Sequence, residues 1–123
     1  MILKESFISN DDLEVIDSTV MTEGFPWYYC DRSTSKDFPF LKHSLISRES
    51  PIIDSSVYPL FKKMLFKFCD DKNIEIQEIL RGCLNLTYYT PVHEFVDPHV
   101  DHPFETWSVL MYLNEFSNGE TLI

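Results

Sequence analysis

Apolar residues recur along this chain at two different periods, 3.6 in the first part and two in the second. The clearest helical stripe is Val57, Leu60, Phe61, Met64, Leu65 and Phe68, with Lys62, Lys63 and Lys67 falling largely elsewhere. It predicts a helix between about Val57 and Asp70, capped by Asp54, Ser55 or Ser56, with Pro59 tolerated only in the first turn. Upstream, Leu13, Ile16 and Val20 share one helical face. Ser9 or Asn10 can cap that helix, Asp11 and Asp12 favour its first turn, and Gly24 is a stop. Between the helices, Phe25 to Cys30 reads as an aromatic strand led by a proline, and residues 31–37 as a polar loop. Phe38 to Ser47 reads as a second strand, broken by Glu49-Ser50-Pro51.

From Ile79 onward the alternation is that of strands. Arg81, Cys83, Asn85, Thr87 and Tyr89 share one face, and Leu80, Gly82, Leu84, Leu86 and Tyr88 the other. A further strand is expected from Thr106, with Thr106, Ser108, Leu110, Tyr112 and Asn114 opposed to Trp107, Val109, Met111 and Leu113. In each strand one side is apolar enough to lie under the helices. The other mixes hydroxyls, amides and rings, as a polar-lined cavity would, or as the wet side of an ordinary half-exposed sheet would. Ser117-Asn118-Gly119-Glu120 is a hairpin signal, with Thr121-Leu122-Ile123 as the opening of a returning strand. That leads us to expect a single, C-terminally truncated domain over residues 1–123. Residues 1–73 would form its helical and mixed N-terminal part, and residues 74–123 the first strands of its core.

Composition narrows the function classes. The chain has 123 residues, 44% apolar and 15% aromatic, which suits a globular domain with a real core. A formal net charge of -10 argues against a general nucleic-acid surface, which needs clustered Lys and Arg, and is read as a solubility feature. Cys30, Cys69 and Cys83 have no pairable or metal-like spacing, and their odd count fits a reducing compartment. Lys4 and Glu5 interrupt any leading apolar run, and no stretch has membrane-spanning length. The location these features suggest is the cytoplasm.

The candidate chemistry lies in Asp97-Pro98-His99-Val100-Asp101-His102-Pro103. On an extended segment His99 and Asp101 project to one side, and Val100 and His102 to the other. An imidazole and a carboxylate two residues apart can chelate one metal from a short piece of backbone. Lacking thiolates, the pair suits Fe(II) or another borderline divalent ion, as in the facial triad of two His and one carboxylate.

The run from about Leu80 to Ile123 resembles the first half of the catalytic core of Fe(II)- and 2-oxoglutarate-dependent oxygenases, specifically the prolyl 4-hydroxylase-like branch. The resemblance rests on His99-Val100-Asp101, on the strand ending Met111-Tyr112-Leu113-Asn114, and on the Gly-containing turn that follows. Phe25-Pro26-Trp27-Tyr28-Tyr29 is similar to the N-terminal part of compact oxygenases of this type. The fold implied is α+β: an incomplete double-stranded β-helix (jelly-roll) core with N-terminal helices packed on its major sheet. The resemblance makes His99 and Asp101 two of three iron ligands. It sets Tyr89 and Tyr112 against 2-oxoglutarate, with Asn85 and Thr87 as weaker candidates on the Tyr89 face. The cofactors implied are Fe(II), 2-oxoglutarate as cosubstrate and O2. The reaction implied is oxidative decarboxylation of 2-oxoglutarate coupled to C–H hydroxylation of an unidentified substrate.

The family's second ligating His and its basic 2-oxoglutarate anchor belong on strands after residue 123, so the chain by itself is expected to be inactive or nearly so. His43 and His93 do not occupy the family's position, and His102 is read as a structural hydrogen-bonding residue. The partner expected is the small-molecule cosubstrate, with no membrane, and with nucleic acid disfavoured by the acidity. Two competing readings remain. One is a non-enzymatic jelly-roll module whose His99 and Asp101 stabilise a loop or a structural ion. The other is a cupin-like metalloenzyme that does not use 2-oxoglutarate.

Overall fold

The structure is a computed structural model that describes residues 7–31, 39–47, 52–88, 99–115 and 117. Helix α1 spans Asn10–Thr19, strand β1 Tyr28–Cys30, strand β2 Phe40–Ile46, helix α2 Tyr58–Asp71 and strand β3 Gly82–Leu86. Among the described residues the architecture is a small α+β arrangement of two helices on a three-stranded antiparallel sheet of order β1-β2-β3.

Helix α1 begins as its sequence leads one to expect. The Ser9 hydroxyl oxygen accepts the Asp12 backbone N–H at 3.2 Å while its proton goes to the Asp12 carboxylate at 2.8 Å. Ile16 and Val20, four residues apart, are fully buried. Helix α2 starts one residue later than expected and keeps Pro59 in its first turn, where no backbone donor is needed. It buries Tyr58, Phe61, Met64 and Cys69. Its C-terminus closes with Ile74 N–H on the Cys69 carbonyl at 2.8 Å and Asn73 N–H on the Asp70 carbonyl at 3.1 Å. That pair of bonds requires a left-handed residue at position 73, and Asn73 supplies it at φ 54°. A second tie joins the helices, because the Lys63 ammonium donates to the Asp12 carboxylate at 2.8 Å.

In the sheet, β1 pairs with β2 through Tyr28↔Lys42, Tyr29↔Leu41 and Cys30↔Phe40, and β2 pairs with β3 from Leu41↔Leu86 to Ile46↔Gly82. The ladder shifts between Ser44 and Ile46. Gly82 sits at that irregularity, and a Cβ there would lie 3.2 Å from Ile46 Cγ2, so the close approach of the strands depends on its absence. Leu45 and Leu84 share one core with Ile16, Val20, Phe61 and Met64 from the two helices. Lys42, Ser44, Cys83 and Asn85 fall on the opposite, wetter face. The split expected for β3 is therefore the one observed. Each side chain buried completely contributes about 1.5–3 kcal/mol, so Ile16, Val20 and Met64 anchor the helices to the sheet.

His43 is the buried polar member of β2. Its Nδ1 lies 2.9 Å from the Pro26 carbonyl and its Nε2 2.6 Å from the Ser55 hydroxyl. A carbonyl only accepts, so Nδ1 carries the proton and Nε2 accepts from Ser55. The Ser55 oxygen in turn accepts Val57 N–H at 3.2 Å, just before α2. None of the three cap candidates, Asp54, Ser55 or Ser56, caps α2. The cap position is Val57, which makes no side-chain cap hydrogen bond, and Ser55 acts one step earlier by accepting the Val57 N–H.

The strand expected from Thr106 to Asn114 is not formed: these residues are described and carry no sheet ladder. Its apolar alternation survives only at the far end, where Met111 and Leu113 pack against the core, while Trp107 is 72% exposed. A strand needs a partner for its backbone groups, and none of β1, β2 or β3 pairs with this segment. The turn expected at residues 117–120 and the stub that follows lie outside the described residues, apart from Ser117.

Candidate functional site

His99 and Asp101 border one shallow hollow of about 320 Å³, together with His102 and Glu105. The backbone there is not extended as expected: residues 101–104 form bends, so Val100 and His102 border the same hollow instead of turning away. His102 also stacks loosely on Phe104, with ring centroids 5.3 Å apart. Among the described residues no group of three or more His, Cys, Asp or Glu is close enough to hold a metal ion. The described donor set from the expected triad is thus an imidazole and a carboxylate.

What orients Asp101 is Arg81, whose Nη1 donates to the carboxylate at 2.6 Å. Arg81 directly precedes β3, so this ion pair ties the segment carrying His99 and Asp101 to the start of that strand. The two side chains are about one-third and two-fifths exposed, at 31% and 41%, so the pair is worth only about 0.2–1 kcal/mol in stability. Its value is positional. The sequence offered one sign of it, since Arg81 was already on the polar face. Its partner 20 positions away depends on the path of the chain.

Asn85 is exposed on β3, opposite Lys42, and Tyr112 is 49% exposed. Neither borders the hollow of His99 and Asp101. Tyr89 and His93 lie outside the described residues, and Thr87 is exposed just past the end of β3. Arg81 also lines a second hollow of about 460 Å³ on the same side of the sheet, with Lys42, Ser44 and Cys83.

Two departures from ordinary titration occur outside this site. The Lys63 ammonium and the Ser9 hydroxyl, both bonded to the Asp12 carboxyl, lower its pKa. Burial raises that of the Cys69 thiol, with the neighbouring Asp70 charge adding to the effect. The described helices include none long and apolar enough to cross a membrane. No family model, no curated protein and no solved structure matches this chain.

Proposed function

We propose that the chain carries the first part of the jelly-roll core of an Fe(II)- and 2-oxoglutarate-dependent oxygenase of the prolyl 4-hydroxylase-like branch. The observation that carries the reading is that His99 and Asp101, two residues apart, border one hollow, with Asp101 tied by Arg81 to the start of β3. An imidazole and a carboxylate so placed are the donor types that a facial Fe(II) site uses. His99 and Asp101 would hold the ion, and the third donor belongs, by the resemblance, after residue 123. Bound iron with 2-oxoglutarate would supply C–H hydroxylation. The protein's share is to anchor the ion, to limit water and to seat the keto acid, a role the resemblance gives to Tyr89, Tyr112 and Asn85.

The Arg81–Asp101 pair favours a second reading, in which Asp101 serves only to clip its segment to β3 and the domain is a non-enzymatic module. Spectroscopy separates the two. Anaerobic Fe(II) with 2-oxoglutarate added to the full-length protein should give the weak visible charge-transfer band of a chelated keto acid, and Asp101→Ala should abolish it. Tyr112→Phe should keep the band and weaken 2-oxoglutarate binding, by about 0.5–1.5 kcal/mol for a neutral hydrogen bond. Tight Fe(II) binding with no response to 2-oxoglutarate would leave a cupin-like metalloprotein. No Fe(II) binding at all would leave the clip.

A further inference from the structure

The second hollow has a charge character opposed to that of the chain around it. The protein carries 20 acidic residues against 10 basic ones, yet Lys42 and Arg81 both line this one depression, with Asp54 the single carboxylate among the described residues that line it. Ser44, Ser47 and Cys83 complete the polar lining. Ser44 pairs with Cys83 and Lys42 with Asn85, so Lys42, Ser44 and Cys83 stand on one face; Arg81, just ahead of Gly82 at the far end of the ladder, lines the same hollow. Lys42 forms no ion pair among the described residues, and Arg81 spends only its Nη1 on Asp101, leaving further guanidinium donors. At about 460 Å³ the hollow is the size of a small-molecule site.

We propose that this hollow binds a small oxyanion, a carboxylate or a phosphate, between the Lys42 ammonium and the Arg81 guanidinium, with the Ser44 hydroxyl as a further donor. A planar guanidinium and a mobile ammonium on two adjacent strands can grip two oxygens of one anionic group. Asp54 on the rim disfavours a second negative group and leaves room for a ligand that also carries a donor. Neither His99 nor a metal takes part in this binding, which shares only Arg81 with the Asp101 pair and is read out at Cys83 without iron.

Cys83, half-buried in the same lining, provides the probe. Alkylation is followed thiol by thiol by peptide mass spectrometry, with anionic iodoacetate and neutral iodoacetamide in parallel. The reference is the same thiol in the urea-unfolded chain, which retains Arg81 as a sequence neighbour. Two cations within reach of the thiol should raise the iodoacetate-to-iodoacetamide rate ratio at Cys83 about three- to tenfold on folding, although the protein as a whole repels anions. Lys42→Gln and Arg81→Gln should each lower that ratio. In the unaltered protein, inorganic phosphate or acetate should slow iodoacetamide at Cys83 saturably, beyond sodium chloride of equal ionic strength; whichever protects identifies the oxyanion. A folded ratio no higher than the unfolded one, or protection matched by chloride, would overturn the proposal.

Discussion

Replacing His43 by Phe keeps a flat ring of similar size in β2 but removes both of its hydrogen-bonding nitrogens. The consequences differ at the two partners. Pro26 is exposed, so its carbonyl turns to water and loses about 0.5–1 kcal/mol. Ser55 is only 8% exposed and has no water to turn to, so its hydroxyl proton is left without an acceptor, costing about 1–3 kcal/mol. The contact of ring 43 with Phe25, 4.4 Å between centroids, is kept by the new ring and offsets little of this. The sum is a loss of about 1.5–4 kcal/mol, a large share of the stability of a small domain. Urea unfolding followed by tryptophan fluorescence suits the measurement, because Trp27 packs against the core beside Phe25. With a slope of roughly 1–1.5 kcal/mol per molar, the midpoint should fall by about 1–4 M. A cycle with Ser55→Ala isolates the pair. Each single variant orphans one member of the His43–Ser55 pair and the double variant neither, while the losses at the Pro26 carbonyl and the Val57 N–H cancel in the cycle. The double variant should therefore be more stable than the sum predicts, by about 1–2 kcal/mol. Strict additivity, or a His43→Phe variant within 0.5 kcal/mol of the parent, would refute the reasoning.

Two further outcomes follow from the helix ends. The Asp12 pKa is lowered in the folded chain, so its contribution is fully present above the ordinary carboxylate value and is lost as pH falls through the depressed one. Lys63→Met should therefore cost about 0.5–1 kcal/mol at neutral pH and flatten the loss of stability below about pH 4, read from urea midpoints across pH; an unchanged acid limb would contradict the pairing. At Asn73, whose φ is 54°, Asn→Gly should be neutral or mildly stabilising, whereas Asn→Val should cost about 1–2 kcal/mol, measured by thermal unfolding.

Much of the fold was already written in one dimension. The stripe from Val57 to Phe68 specified α2, and the Ser9–Asp12 pattern specified the start of α1. The alternation in β3 told Leu84 from Asn85, because helix and strand periods decide which side chains share a face wherever the element forms. A period does not supply a hydrogen-bonding neighbour, however. Thr106 to Asn114 has a strand's alternation and forms no ladder, and only Met111 and Leu113 reach the core. The candidate site divides in the same way. That His99 and Asp101 stand two residues apart is a property of the sequence alone. That Arg81 takes hold of Asp101, and that Lys42 and Arg81 line one hollow, was decided by how distant parts of the chain fold back onto β2 and β3. His43 makes the same point for the interior. A lone histidine in an apolar strand has no meaning by position, and it acquired one when Pro26 and Ser55, 17 and 12 residues away, were folded onto its two nitrogens. Local periods are set by covalent geometry, whereas pairings between distant polar groups depend on where the chain turns back, and only the tertiary structure decides that.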